Sequence, residues 1–323
     1  MSDLFNIIFS VDFGYAVLRV TTPILFAAMG ALISDKAGVI NIALEGMMLI
    51  AALTGVIVSA LVQSAGLGLL AAVIVGAMVG MVLAYFALNL KTDVILAAIA
   101  INLIAMGGTV FILFMASGDK GISSSLPSLV LPRVEIPLLK AIPVLGPILS
   151  GHNILTYLAF LSVWAMYIFI YKTPLGLRIR AVGENPDAAD SVGISVRKVQ
   201  YIALTISGAL AGFGGAYMSM GYVSWFSKNM TAGRGFIALA AEAMGGATPQ
   251  GAMFTSLLFG FFDALSNSLQ TLRVPAEFIQ MIPYLATVIG LVIYAANKTE
   301  QIKRIQAHKD REAKKQSEEE KAL

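Results

Sequence analysis

Gly66-Leu-Gly-Leu-Leu-Ala-Ala-Val-Ile-Val-Gly-Ala-Met-Val-Gly-Met-Val-Leu-Ala-Tyr-Phe-Ala-Leu88 runs for 23 residues without one charged side chain. At about 1.5 Å of rise per residue, that is enough helix to cross the roughly 30 Å apolar core of a bilayer. A surface helix of a soluble domain keeps a polar face, and this stretch has none. Working outward, eight further apolar runs lie at about 15–34, 38–62, 93–116, 153–172, 200–222, 235–248, 251–272 and 277–297. Composition sets the same ceiling: 58% of the 323 residues are hydrophobic, and at roughly 20 per span they suffice for about nine spans. Only 13% of the chain is charged, against about 25% in soluble domains, and the mean hydropathy is +0.81. The expected fold is an all-α polytopic membrane protein with about nine transmembrane helices. A soluble enzyme and a nucleic-acid binder are excluded on composition, and a disulfide scaffold is excluded because there is no cysteine.

Basic residues choose the orientation, because short cytoplasmic loops collect Lys and Arg. The loop 173–199 and its border carry Lys172, Arg178, Arg180, Arg197 and Lys198, and the tail 298–323 carries eight more basic residues beside six acidic ones. Both are expected inside, and the four spans between them keep the two placements consistent. Counting back, Ser2–Gly14, with Asp3 and Asp12 and no basic residue, is expected outside. No cleavable signal peptide is read at the start. Lys120, Arg133, Lys140, Lys228, Arg234 and Arg273 fall outside on this topology, against the rule. The loop 117–151 holds five of the eleven prolines, which forbids a continuous helix and suggests a folded cap on the outer surface. Residues 1–297 therefore form the membrane domain, and 298–323 a charged cytoplasmic tail.

Gly38-x-Ile40-x-x-Ala43-x-Glu45-x-Met47 recurs, offset by 197 residues, as Gly235-x-Ile237-x-x-Ala240-x-Glu242-x-Met244. On the topology above the two copies run in opposite directions, so an inverted internal repeat is expected, with a helix cut short by Gly245, Gly246 and Pro249. Ionisable groups in apolar runs are costly and normally face a protein interior or a water-filled path. Glu45, Glu242 and Asp263 are such groups, with Asn41, Asn102 and Asn267 as milder neighbours. These six are the candidate translocation path. For Glu45 and Glu242 a purely structural role, capping or bridging backbone, stands beside that reading. Arg19 is placed to snorkel to the outer interface. Gly76-x-x-x-Gly80 and Ser207-Gly208-x-x-x-Gly212-x-Gly214-Gly215 have the small-residue spacing that lets membrane helices press together.

Within loop 173–199, Asn185 suits a helix N-cap, Pro186 the first helical position, Asp187 the positive end of the dipole and Gly193 a left-handed C-terminal residue. A two-turn helix over about 186–192 is expected. So short a helix gains little from propensity, so a cytoplasmic protein partner is the natural reason for it.

The run Gly176-Leu-Arg-Ile-Arg-Ala-Val-Gly-Glu-Asn-Pro-x-Ala-Ala-x-x-x-Gly-Ile resembles the coupling segment of ATP-binding-cassette importer permeases. Glu184, Ala188, Ala189 and Gly193 carry that pattern, with Asn185 and Pro186 between them. The flavour resembles the permease family for branched-chain amino acids, simple sugars and nucleosides. Gly38-Val-Ile-Asn-Ile-Ala-Leu-Glu-Gly-Met-Met-Leu-Ile-Ala-Ala52 is most similar to its nucleoside members. The resemblance implies a type II importer-like permease in the bacterial plasma membrane. It also implies a separate ATP-binding subunit that holds ATP and Mg, an extracellular substrate-binding lipoprotein, and a second, homologous permease in a heterodimer. Ribose-type relatives begin one span earlier than Leu4-Phe5-Asn6-Ile7-Ile8. No Gly-x-x-x-x-Gly-Lys-Ser/Thr occurs, so no cofactor is expected on this chain itself. His152 and His308 offer no metal-ligand spacing and no catalytic centre. Sugar and branched-chain amino acid remain open as substrates, as does a different class, a secondary transporter using Glu45, Glu242 or Asp263 as proton carriers. Trp225 and Phe226 are either purine-stacking or interfacial belt residues.

Overall fold

The computed structural model describes residues 10–136, 145–269 and part of 281–296. The tail 298–323 lies outside the described residues, as do most of the stretch Ser2–Gly14 and part of the predicted ninth span. The described elements are helical, with two isolated β-bridges, Ile122 to Ser227 and Arg133 to Asn153. In chain order they are α1 (Val11–Lys36), α2 (Leu44–Val62), α3 (Ala65–Ala84), α4 (Val94–Ser117), α5 (Ile154–Lys172), α6 (Pro174–Glu184), α7 (Pro186–Ser191), α8 (Val196–Tyr217), α9 (Arg234–Met244) and α10 (Pro249–Leu269). A further turn of helix covers Leu145–Leu149. α3 and α8 each run on into one π-helical turn, Tyr85–Asn89 and Met218–Tyr222.

Among the described residues six helices are long and apolar enough to cross a membrane: α1, α2, α3, α4, α5 and α8, the third and last counted with their π turns. The seventh predicted run differs. α9 has 11 residues, about 16 Å, which is half a span. Gly246 takes φ +66° and Pro249 opens α10, so the chain reverses there.

Side-chain caps set several helix starts. The Ser10 hydroxyl accepts from the Phe13 N–H at 3.1 Å, and the Asp93 carboxylate accepts from Ile95 and Leu96 at 2.8 and 3.1 Å. Asn153 does the same for Leu155 at 3.0 Å. Each satisfies a donor that the first turn leaves orphaned.

α1 is the hub. It is buried without a break from Val20 to Ser34 and packs against α5, α6, α8, α9 and α10. α3 lies along α8 and α2. Here the small residues act as predicted: a Cβ on Gly76 would strike the Gly208 carbonyl, one on Gly208 the Gly76 carbonyl, and one on Gly80 the Leu204 carbonyl. Gly215 lies just as close to the backbone of Met48 on α2. α3 and α4 turn large apolar side chains outward, among them Leu70, Ile74, Leu103, Ile104 and Phe111, as a lipid-facing surface requires.

The described part of the proline-rich loop crosses one end of the bundle. Ser123 N–H donates to the Phe226 carbonyl at 2.9 Å, Phe226 N–H to the Ser123 hydroxyl at 2.8 Å, and Leu131 N–H to the Met220 carbonyl at 2.8 Å. α6 and α7 lie at the opposite end of α5. The predicted two-turn helix is there, but so is α6, within the expected loop 173–199. Thr173 caps it by accepting from the Gly176 N–H at 3.1 Å and Pro174 opens it. Ile179 and Val182 are its buried side chains, a period too brief to stand out among the surrounding basic residues.

The two copies of the ten-residue match differ in local structure. The second lies wholly in α9. The first begins in a turn: Gly38 adopts φ +74°, and the Asn41 side-chain oxygen accepts from the Ala43 N–H at 3.0 Å. Such side-chain bonds offer the backbone an alternative to helix, so the predicted span 38–62 becomes helical only at Leu44.

Candidate translocation site

Three of the six polar side chains singled out in the apolar runs, Asn41, Glu45 and Asn102, converge on two helix beginnings that meet inside the bundle. Glu45 is the second residue of α2, 8% exposed, and its carboxylate reaches across to α9. Oε1 accepts from the Gly233 N–H at 2.8 Å and Oε2 from the Gly235 N–H at 2.7 Å. Those donors have no acceptor within their own helix, and the helix dipole adds partial positive charge at that end. Gly233, the cap residue of α9, sits at φ +79° and offers no side chain of its own. Glu45 therefore supplies from a distant helix the cap that α9 lacks. At Gly235 a Cβ would press on the Glu45 backbone and carboxylate, so glycine keeps the approach open.

Asn102 on α4 does for α2 what Glu45 does for α9. Its side-chain oxygen accepts from the Gly46 N–H at 2.8 Å, and its amide donates to the Ile42 carbonyl at 3.0 Å. Asn41 pins the preceding turn to α8, donating to the Ser207 hydroxyl at 2.9 Å. Asn41, Glu45 and Asn102 thus form one assembly joining α2, α4, α8 and α9. Glu45 and Asn102 act on backbone where helices start, and Asn41, which also donates to the Met47 sulfur at 3.3 Å, ties the turn before α2 in place.

The other three candidates lie elsewhere. Glu242 is seven residues along α9 from Gly235, about 10 Å further on, and 6% exposed. Its Oε1 has no hydrogen-bond partner among the described residues, and Asp35 and Lys36 at the end of α1 are the charges that act on it. Asp263 on α10 is ion-paired: its Oδ2 lies 2.8 Å from the Arg234 guanidinium, with both side chains largely shielded at 14% and 13% exposure. Asn267 is within 3.5 Å of the other Asp263 oxygen, the long limit for a hydrogen bond. Arg234, by sequence only one of the external basic residues that run against the charge rule, is the partner that fixes Asp263. Its position, one residue before an apolar run, was the available sign that it belongs to the helix.

At the far end, α7 forms as its caps dictate. The Asn185 side-chain oxygen accepts from the Ala188 N–H at 3.0 Å, and Gly193 takes φ +81°. Ala189 is buried, while Asp187, Ala188 and Ser191 face outward and Val192 is 75% exposed. α7 is therefore held by a single methyl group and presents the rest of its surface. Glu184 does not belong to it. It ends α6 and lines a cleft of about 440 Å³ with Asp35, Lys36, Tyr171 and Arg180. Among the described residues no cluster could hold a metal ion.

Six membrane-length helices packed with a half-length helix, whose start is capped by an acid from another helix, describe a multi-pass membrane protein. The chain belongs to the family described as branched-chain amino acid transport system / permease component, whose model matches residues 15–296. It is 38% identical over 287 residues to the guanosine ABC transporter permease protein NupQ of Bacillus subtilis (strain 168), covering 85% of this chain and 89% of that one. It is 34% identical to the nucleoside ABC transporter permease protein NupC of Lactococcus lactis subsp. cremoris (strain MG1363), covering 86% and 90%. The glucose ABC transporter permease protein TsgB13 of Haloferax volcanii is 25% identical over 82% of this chain and 72% of its own length. No solved structure matches the chain. These relatives are transport components rather than enzymes.

Proposed function

We propose that this chain is the translocating permease subunit of an ATP-driven nucleoside importer. End-to-end likeness to two permeases named for guanosine and for nucleosides carries the reading. In this reading the N-terminus is extracellular and the tail 298–323 cytoplasmic, as the basic residues of 172–198 and the tail suggest. Nine membrane segments, α9 and α10 among them, are arranged as an inverted repeat. A second, homologous permease completes the path as a heterodimer, an external lipoprotein delivers the nucleoside, and a separate ATPase holds ATP and Mg.

Each candidate residue then has a role. The start of α9 lies within the membrane, and Asn41, Glu45 and Asn102 hold the helix ends that border the path. Glu242, with its open oxygen, faces the inner half of it, and Arg234, Asp263 and Asn267 brace α9 against α10. Glu184, Asn185, Pro186, Ala188, Ala189 and Gly193 form the coupling segment. Closure of the ATPase pushes on the exposed face of α7, and the movement passes through α6 and α8, which flank it, to the helices around the path.

A secondary transporter is disfavoured at two of its three would-be proton carriers: both Glu45 oxygens accept hydrogen bonds and Asp263 is ion-paired, which leaves Glu242 alone with an open oxygen. Uptake of labelled guanosine by proteoliposomes holding the full set of subunits tests the reading. Uptake should require ATP and resist competition by excess glucose or leucine. Uptake driven by a proton gradient without ATP would refute it.

The coupling role has its own test. Replacing Ala188 and Gly193 together by arginine puts bulk on an exposed face and an L side chain at a left-handed position, a strain of roughly 1–2 kcal/mol. The folded permease should persist, while nucleoside uptake is lost and ATPase activity no longer responds to the loaded lipoprotein. Full coupled uptake by this double variant removes α7 from the mechanism.

A further inference from the structure

At the end of the bundle crossed by the proline-rich loop, a cavity of about 110 Å³ lies between α1, α5 and α8, lined by Tyr15, Arg19, Arg133, His152, Tyr217 and Tyr222 among others. Arg19 stands on α1, two turns in from its start. Its guanidinium lies 4.6 Å from the centre of the Tyr222 ring. It makes no hydrogen bond or ion pair among the described residues, and its buried Nε is without a partner.

Most acceptors and several donors around the cavity are already used. The Tyr15 hydroxyl donates to the Gly151 carbonyl at 3.0 Å, and the His152 Nε2 lies 2.7 Å from the Ile148 carbonyl. The Asn153 amide donates to the Leu131 carbonyl at 2.9 Å. The Tyr217 hydroxyl accepts from Thr156 at 3.4 Å, which leaves its own hydrogen to give. The donors still uncommitted are two guanidiniums and the hydroxyls of Tyr217 and Tyr222, and they outnumber the acceptor nitrogen that a neutral His152 keeps once Nε2 has given its hydrogen to Ile148. Among the described residues no acidic side chain lines the cavity. Burial, helped by the nearby positive charge of Arg19, holds His152 below its usual pKa against the pull of the Ile148 carbonyl, so the imidazole stays neutral and adds no further charge.

A cation within a membrane helix normally has a counter-charge, and a π face compensates it only in part. Small-molecule sites measure roughly 300 Å³ or more, so the cavity is too small for a nucleoside. We propose that this cavity holds one small anionic group, which neutralises Arg19 and ties α1 to α8 and the proline-rich loop. A free halide or phosphate ion supplies that chemistry, as does the phosphate of an anionic lipid headgroup. The inference does not depend on which substrate the permease carries.

Chloride is the probe. The full-length chain, assembled with its partner subunits in phosphatidylcholine nanodiscs, should broaden the chloride-35 resonance more than the Arg19→Gln variant does, and inorganic phosphate should remove the excess. Arg133→Gln, at an exposed residue, should reduce the excess and serves as the second variant should Arg19→Gln fail to fold. In nanodiscs containing phosphatidylglycerol, loss of the chloride signal would identify the headgroup as the source of the anion, and its persistence would identify a free ion. Equal broadening by the wild type and both variants in phosphatidylcholine overturns the proposal.

Discussion

Glu45→Ala is expected to abolish transport and to destabilise the permease, because a buried N–H group, that of Gly235, and a half-buried one, that of Gly233, lose their acceptors together. An orphaned buried donor costs about 1–3 kcal/mol, and the loss of negative charge at a helix N-terminus adds to that. Glu45→Gln separates capping from proton carriage. Its single side-chain oxygen can accept one of the two bonds, while its amide group faces the other N–H, so stability and uptake should fall between those of the wild type and Glu45→Ala. A proton carrier behaves differently, since the glutamine variant would then be as inactive as the alanine variant while staying folded. Thermal unfolding in detergent, measured beside ATP-dependent uptake, reads both. An inactive but fully stable Glu45→Gln would return Glu45 to a carrier role.

Gly208→Leu should leave little folded protein. The α3–α8 contact is backbone against backbone, with the Gly208 and Gly76 carbonyls in the way of any added Cβ on the opposite helix. A carbonyl cannot swing aside as a side chain can, so the helices must separate along their length. Overpacking costs about 1–3 kcal/mol even where side chains can adjust. Here the expected loss is at least that large, and Gly208→Ala already suffers part of it. The matched control is Gly107→Leu on α4, where a Cβ meets nothing within 4 Å. Size-exclusion profiles of fluorescently tagged protein should show Gly107→Leu as a single sharp peak like the wild type, and Gly208→Leu in the void volume or absent. A normal profile for Gly208→Leu would mean that α3 and α8 do not pack as described.

Much of this was legible in the chain because the signals are local. A run such as 66–88 needs no partner to declare itself a membrane helix. Asn185, Pro186 and Gly193 write the ends of α7 into adjacent residues, and the glycine spacing on α3 and α8 announces close packing. Legibility ended where meaning depends on a distant partner. Asp263 looked like a free carboxylate until Arg234, 29 residues away, was placed beside it. Arg19 looked like a snorkelling side chain, and only the fold sets it against Tyr222. The length of the break after α1 was hidden by its own hydropathy, since Val39, Ile40 and Ile42 are as apolar as a helix could wish, and the decision lay with the Asn41 side chain and its bond to Ala43.

The sequence by itself determined that this is a helical membrane protein, where six of its spans lie, and that a short capped helix stands in its basic loop. Hydrophobic length and helix capping are properties of neighbouring residues, so no tertiary information was required. Only the tertiary structure decided what the buried polar residues do. Glu45 is a cap because a helix that begins 189 positions later presents two unsatisfied N–H groups to it, and in an apolar interior such groups take the nearest acceptor the fold provides.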